Sequence, residues 1–383
     1  RLELKIVYIS TAEVPSSRAN SLQVMKVCQA LVQLGEQVQL YLPDDHSATW
    51  EQLEEMYGLT QRFPILRFPS RAFLRRFDFT IACLLRAREE GADLVYTRMV
   101  WTALISRMAG FKTVLEMHDI PTGRMGPMVY RWYLRARKPG LTVYITLALK
   151  ELADKSMKAR ARDGEYLIAP DGVDLERFEG LPNPVKARST LGLQETLTAV
   201  YTGGFYEGRG LEILEPLAQA FPQVQFLWIG GNEEQVTAWR KRLDSKDVRN
   251  VFLTGFVQNS RLPLYQAAAD VLLMPYSSSF GGSGGGDIAR VSSPLKMFEY
   301  LASGRAILAS DIPVLKEVLN EKNACFYQPE NFEDLCVKFS SLISNNALRS
   351  RYAVAARTSV GAYDWKERMK RIIIAAGALP SVK

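Results

Sequence analysis

Apolar positions along the chain fall into two alternating textures. Leu4-Lys5-Ile6-Val7-Tyr8-Ile9-Ser10 is a short β-branched run of the kind that forms a buried strand. After a polar loop, residues 21–34 place Leu22, Met25, Leu31 and Leu34 at helical spacing, and Gly35 supplies a stop. Val38-Gln39-Leu40-Tyr41-Leu42 reads as the next strand. A strand, a helix and a strand within about 40 residues predict a βαβ unit, hence a parallel sheet covered by helices on both faces. The pattern recurs at Asp93-Leu94-Val95-Tyr96, Thr113-Val114-Leu115-Glu116 and Leu141-Thr142-Val143-Tyr144-Ile145-Thr146.

Between residues 180 and 196 the texture breaks at Gly180, Pro182, Asn183 and Pro184, which predicts a linker. A second series of strands follows: Thr198-Ala199-Val200-Tyr201, Gln225-Phe226-Leu227-Trp228-Ile229, Val251-Phe252-Leu253, Asp270-Val271-Leu272-Leu273-Met274 and Ala306-Ile307-Leu308-Ala309. The expected fold class is therefore α/β, with two Rossmann-like domains whose parallel sheets face each other across a cleft. Ligands of such sheets bind beyond the carboxyl ends of the strands.

Composition narrows this picture only a little. With 383 residues, 47% hydrophobic and 23% charged, the chain is too apolar and too mixed to be disordered, collagenous or coiled-coil. Its 48 Lys plus Arg against 41 Asp plus Glu leave a net charge of +7, which suits an anionic ligand, an acidic membrane face or nucleic acid. Nucleic acid is the weakest of these, because the basic residues are scattered and carry no aromatic–glycine signature. Cys28, Cys83, Cys325 and Cys336 lack metal-ligand spacing and read as reduced core residues of a cytosolic protein. With His46 and His118 the only histidines, a histidine-rich metal site is excluded. No run approaches a membrane-spanning length. The chain opens on Arg1 just ahead of a strand, without a signal peptide or initiator Met, so its start is expected to be trimmed. One segment stands apart: residues 62–76 interleave Arg62, Arg67, Arg71, Arg75 and Arg76 with Phe63, Ile65, Leu66, Phe68, Phe73 and Leu74. It reads either as a solvated connector or as a patch lying on an anionic membrane.

The richest chemistry lies in Ser292-Ser293-Pro294-Leu295-Lys296-Met297-Phe298-Glu299-Tyr300-Leu301-Ala302-Ser303-Gly304-Arg305. Pro294 suits a helix start and Gly304 its end. The free amides near Leu295 and Lys296 would then form an anion pocket. Glu299, one turn on, could accept hydrogen bonds from vicinal hydroxyls such as those of a ribose. A surface helix with an exposed glutamate is the plainer alternative. Thr202-Gly203-Gly204-Phe205-Tyr206-Glu207-Gly208-Arg209-Gly210 joins a strand to a helix, so backbone can approach an anion and Arg209 can add a cation; a glycine-rich turn with a solvated Arg is the alternative. Gly284, Gly286 and Ala289 formally satisfy a dinucleotide fingerprint, but Pro294 interrupts any helix starting there. A loop able to close over substrate fits this tract better. His118-Asp119 and Asp171-Gly172-Val173-Asp174 both follow predicted strands.

In this order, these elements resemble the GT-B glycosyltransferases, specifically the family 4-like retaining group. The resemblance implies an acceptor-binding domain over residues 1–180, a nucleotide-sugar-binding domain over 195–361, and a C-terminal helix at about 362–383 packing back on the first. It implies that Gly203, Gly204, Arg209, Pro294, Leu295 and Lys296 hold a donor diphosphate, Glu299 the ribose, and Phe256 and Val257 the base. His118, Asp119 and Arg209 would be catalytic, and Arg18, Ala19, Asn20, Asp171 and Asp287 would contact donor or acceptor. The implied reaction moves a sugar from a nucleotide-diphosphate donor, UDP-sugar ahead of GDP-sugar, to a lipid-linked or saccharide acceptor, with no metal and no other cofactor. The expected setting is cytoplasmic, at the inner face of the plasma membrane, in exopolysaccharide or envelope assembly. Two departures stand out: Val291 replaces the first Glu of the family's Glu-x7-Glu, and Gly204 replaces a common Arg. They keep two alternatives open, a nucleotide-sugar epimerase of the same fold and a catalytically silent partner subunit.

Overall fold

The computed structural model describes residues 3–44, 47–71, 73, 76–278 and 291–377. It divides into two units, residues 1–171 with 365–383, and residues 172–364.

The first unit holds seven parallel strands: β1 (Lys5–Ile9), β2 (Gln37–Pro43), β3 (Ile65–Phe68), β4 (Leu94–Thr97), β5 (Lys112–Met117), β6 (Gly140–Tyr144) and β7 (Tyr166–Ile168). Their order is β3-β2-β1-β4-β5-β6-β7. The second holds six: β8 (Thr198–Thr202), β9 (Gln225–Ile229), β10 (Val251–Gly255), β11 (Val271–Met274), β12 (Ala306–Ser310) and β13 (Cys325–Tyr327), ordered β10-β9-β8-β11-β12-β13. Every pairing among these strands is parallel. The α/β, Rossmann-like character expected from the sequence is therefore present twice.

Strand alternation explains why helices flank both faces of the second sheet. Along β8 and β9, Ala199, Tyr201, Phe226 and Trp228 enter one buried cluster, while Val200, Leu227 and Ile229 enter another. Successive side chains on a strand point to opposite faces, so a strand apolar at every position needs cover on each side.

Three expectations are corrected here. The breaker-rich stretch at 180–196 is not the division between units, which falls at Asp171/Gly172. Its breakers instead start and stop a helix, Pro184–Leu191: the Asn183 side chain accepts a hydrogen bond from the Lys186 N–H at 2.9 Å, and Gly192 ends it in a left-handed conformation. Ala187 of that helix packs against Ala267 and Ala268, and Arg305 donates to the Pro182 carbonyl at 2.8 Å, so the stretch belongs to the second unit. The polar loop expected through residues 18–20 is shorter: the first helix is Ala19–Gln33, with Arg18 at its N-cap.

The segment at 62–76 is the third. Neither a solvated connector nor a lipid-facing patch describes it as a whole, because residues 65–68 form the edge strand β3 beside β2. Phe63 is buried, and the Phe68 ring lies 4.9 Å from Tyr41 and 6.5 Å from Phe79. Arg67 donates to the carbonyls of Pro43 and Val14. Of the apolar residues singled out there, Phe73 is the exposed one, and Leu74 lies outside the described residues. Cys28, Cys83 and Cys325 are buried as expected, whereas Cys336 is only half-buried; all four are free thiols.

The glycine loop after β8 is the tightest piece of backbone in the second unit. Gly210 has φ +90°, and a Cβ built on it would stand 1.7 Å from the Pro275 carbonyl oxygen. Gly210→Ala should therefore destabilise the unit by roughly 2–4 kcal/mol, from left-handed strain plus overpacking. A thermal melt checks this; an unchanged midpoint would contradict the close approach.

Candidate functional site

The second sheet reverses its order between β8 and β11, and ligands of open α/β sheets bind at that kind of switch point, beyond the carboxyl ends of the strands. Three segments meet there. The loop from β8 carries Gly203 to Gly210, the exit of β11 carries Pro275 and Tyr276, and the helix Leu295–Ser303 begins at Pro294.

The helix is pinned to the end of β8. The Tyr300 hydroxyl accepts from the Thr202 N–H at 2.8 Å and lies 3.2 Å from the Thr202 hydroxyl. This holds the helix N-terminus beside the glycine loop. Pro294 acts as the N-cap without a side-chain cap bond, and Gly304 ends the helix in a left-handed conformation. Helix geometry leaves the Leu295 and Lys296 amides without an acceptor one turn back, so they can serve an anion. Behind the loop, a Cβ on Gly230 would sit 2.0 Å from the Gly203 carbonyl oxygen, which makes this another backbone-to-backbone contact only glycine permits.

Two cations flank the same place. The Arg209 guanidinium lies over the Tyr276 ring at 5.4 Å. The Lys296 ammonium lies over the rings of Tyr201 at 4.0 Å and Tyr276 at 4.7 Å, and the Lys296 side chain is buried. Burial, then the Arg209 charge, pushes the Lys296 pKa well below its ordinary value, against the pull of Glu299.

Glu299 is not the exposed helix glutamate of the plainer reading. It is buried, its Oε1 accepts from the Asn259 amide at 3.1 Å, and its Oε2 accepts from the Gln266 amide at 3.0 Å. Asn259 is held in turn by Arg177, whose guanidinium donates to the Asn259 side-chain oxygen at 2.5 Å. The carboxylate is thus fixed in orientation, with lone pairs to spare for a further donor. Gly255, with φ +72°, turns the chain out of β10 and leaves Phe256 half-exposed, with Val257 partly buried beside the core. Gly204 lies under the Tyr206 ring, where a Cβ would meet Cε2 at 2.3 Å. Val291 is buried, and Asp287 lies outside the described residues, as does the rest of the glycine tract around it.

The first unit contains a separate cluster in which the sequence reading found His118 and Asp171 but missed Glu116 and Arg368. Glu116, at the end of β5, is fully buried. It accepts from Gln23 Nε2, Tyr96 Oη and Arg368 Nη1, the last at 3.1 Å, and its Oε1 lies 2.5 Å from His118 Nε2. Burial alone would raise the Glu116 pKa, but Arg368 and His118 hold it well below the usual carboxylate range. Arg368 is also fully buried, and donates to the carbonyls of Pro170 at 2.7 Å and Ala169 at 3.1 Å. Burial, then the Arg98 charge, lowers His118 to about 4 despite Glu116, so its imidazole is neutral near pH 7. Asp171 is buried 4.0 Å from Arg368; burial raises its pKa to about 7 against the pull of that guanidinium.

The remaining sequence-predicted residues of this unit have local partners. Asp119 Oδ1 accepts from the Ile120 N–H at 2.7 Å. Asn20 accepts from Arg98, Arg18 pairs with Glu13 at 3.4 Å, and Ala19 opens the first helix. Glu116, His118 and Asp171 present three donor atoms within 4.8 Å of one another, as a divalent cation would require. Arg368 already supplies the balancing positive charge there, so we assign no ion to the trio. A carboxylate embedded in an apolar strand is the sequence signal that would have found Glu116; Arg368 carries none, since basic residues are common on terminal helices.

Residues 197–345 match the family model described as glycosyl transferases group 1. A phosphatidyl-myo-inositol mannosyltransferase of Mycobacterium tuberculosis is 26% identical over 263 residues, 66% of this chain and 64% of that relative, so the match spans under two thirds of its length. An alpha-galactosylglucosyldiacylglycerol synthase of Streptococcus pneumoniae is 25% identical over 158 residues, 39% of each chain. Among solved structures, Anabaena HepE in complex with UDP superposes with a TM-score of 0.76 at 17% identity, covering 98% of this chain and 100% of that one. A glycosyltransferase from Rickettsia africae gives 0.77 at 13% identity, covering 98% of each.

The buried pair in the first unit makes a direct prediction. Arg368→Met should lower stability by about 3–5 kcal/mol, because it strands the Glu116 carboxylate without its counter-charge. Adding Glu116→Gln should recover part of that loss in the same melts. Equal losses in the single and double variants would contradict the pairing.

Proposed function

We propose that the chain transfers a sugar, with retention, from a nucleoside-diphosphate donor to a hydroxyl acceptor; the match of residues 197–345 to the group 1 glycosyl transferase model and the superposition on GT-B structures support this reading. The observation that carries this reading is the place after β8 where Arg209, Lys296 and the amides of the helix Leu295–Ser303 converge. A diphosphate bridging nucleoside and sugar supplies negative charge suited to such a place. The acceptor's hydroxyl oxygen bonds to the sugar's anomeric carbon as the bond from that carbon to the diphosphate oxygen breaks; the diphosphate oxygen keeps the electron pair and takes up the acceptor's proton. Arg209 and the helix amides stabilise it as it departs. Glu299, oriented by Asn259 and Gln266, accepts from the ribose hydroxyls, and the half-exposed Phe256 borders the base. His118 and Asp119 act on the sugar side. No metal enters the scheme.

UDP is the favoured nucleotide, in line with the UDP bound by Anabaena HepE. The acceptor is a lipid-linked or saccharide hydroxyl; the mycobacterial and streptococcal relatives are named for lipid acceptors. No helix among the described residues is long and apolar enough to cross a membrane. Access to a lipid acceptor would be peripheral, at the inner face of the membrane. It would use Phe73 with the arginines around it rather than the whole stretch, since Phe63 to Phe68 are committed to β3 and its packing. A silent, nucleotide-binding subunit is the second reading, favoured by the buried Val291 where the family often has a carboxylate.

A thermal-shift screen with UDP, GDP and ADP, followed by transfer of radiolabelled sugar to inner-membrane lipid extract, tests the proposal. UDP should raise the melting temperature. Arg209→Ala should weaken UDP by roughly 10–100-fold, the worth of one charged hydrogen-bonding partner, and Arg209→Ala with Glu299→Ala should abolish the shift. A shift without any transfer would favour the silent subunit; no shift with any nucleotide would sink both readings.

A further inference from the structure

The Lys296 side chain is an electrostatic oddity. Its ammonium is more than nine-tenths buried and, among the described residues, makes no hydrogen bond and no ion pair. What faces it is the Tyr201 ring at 4.0 Å, the Tyr276 ring at 4.7 Å and the backbone of Gly203, whose added Cβ would lie 3.3 Å from Nζ. The charged groups acting on it are Arg209 from the glycine loop, which repels it, and Glu299 one turn along its own helix, whose oxygens are already bonded to Asn259 and Gln266. Arg209 and Lys296 even share one ring, Tyr276. Aromatic faces attract a cation far more weakly than a carboxylate does, and a buried charge without a counter-ion is costly. A structural lysine would have been given an acidic partner. This one points to an anion that comes and goes.

We propose that the Lys296 ammonium is the second cation of the diphosphate site, and that it takes a proton from solvent as the diphosphate binds. The inference rests on the donor reading above and adds to it a proton linkage at Lys296. Before binding, the two tyrosine faces hold the amine at the mouth of the glycine loop, next to Arg209. An arriving diphosphate reverses the local field, so the protonated form becomes the stable one. Donor affinity then depends on pH: on the alkaline side, binding carries proton uptake with it and weakens as pH rises. The place where a cation would extend from residue 204 is filled by the Tyr206 ring, which leaves Lys296 as the partner for Arg209.

Titration calorimetry of UDP into the full chain at pH 8, run in Tris and in HEPES, reads the proton directly from the difference in heat. The native chain should take up roughly 0.3–1 proton per UDP. Lys296→Met should take up none, bind UDP about 10–100-fold more weakly, and melt no lower than the native chain in the absence of nucleotide. UDP binding whose heat is the same in both buffers, uptake that persists in Lys296→Met, or a melting temperature many degrees lower in that variant would each overturn the role. Absence of any binding heat with UDP, GDP and ADP in the native chain would overturn the donor reading itself, and this inference with it.

Discussion

An arginine and a buried lysine are brought to the same tyrosine ring at the switch point of the second sheet, and most of the surrounding structure serves that placement. The loop after β8 can run so close to neighbouring backbone only because Gly210 and Gly230 lack side chains: the spaces their Cβ atoms would need are occupied by carbonyl oxygens. The helix that presents Lys296 is fastened to the strand end through Tyr300 and Thr202. The tyrosines beneath the cations provide an apolar, polarisable floor that neutralises nothing. A folded protein tolerates such an arrangement where a ligand completes it.

The first unit handles charge in the opposite way. Glu116 is as deeply buried as any residue in the chain, yet it is surrounded by donors, with Arg368 reaching it from 252 residues further along the sequence. That pairing ties the helix Trp365–Gly377 to residues 1–171, with which it groups; Arg368 also closes the carbonyls of Ala169 and Pro170. His118 is oriented by the same carboxylate, which fixes which ring nitrogen faces the protein and leaves Nδ1 as the other. A neutral, oriented imidazole is the outcome. The first unit thus pairs its buried carboxylate, whereas Lys296 in the second is buried against aromatic faces.

Much of this was legible in the amino-acid order, for identifiable reasons. Strands apolar at every position, such as Thr198–Thr202, announce a sheet covered on both faces, and the helix that starts at Pro294 and ends at Gly304 carries its own punctuation. The edge strand β3 was hidden because Arg67 sits within it and arginines flank it, so its four residues look like a basic surface segment until Phe68 is seen against Tyr41. The breakers at 182–184 were misread because Asn-Pro caps a helix as readily as it ends a domain. Glu299 was found, but its amide partners were not, since Asn259 and Gln266 lie on a different element and no local spacing links them. Arg368 was invisible for the same reason on a longer scale: its meaning depends on a contact that only the folded chain creates.

The central claim, that the buried Lys296 at the start of one helix stands beside Arg209 to receive a diphosphate, is tested most directly by a crystal structure of the chain with UDP. The account predicts the terminal phosphate within hydrogen-bonding distance of the Arg209 guanidinium, the Lys296 ammonium and the Leu295 and Lys296 amides, with the lysine drawn off at least one tyrosine ring. A nucleotide lodged elsewhere on the chain, with Lys296 still stacked on both rings and no anion beside it, would contradict it.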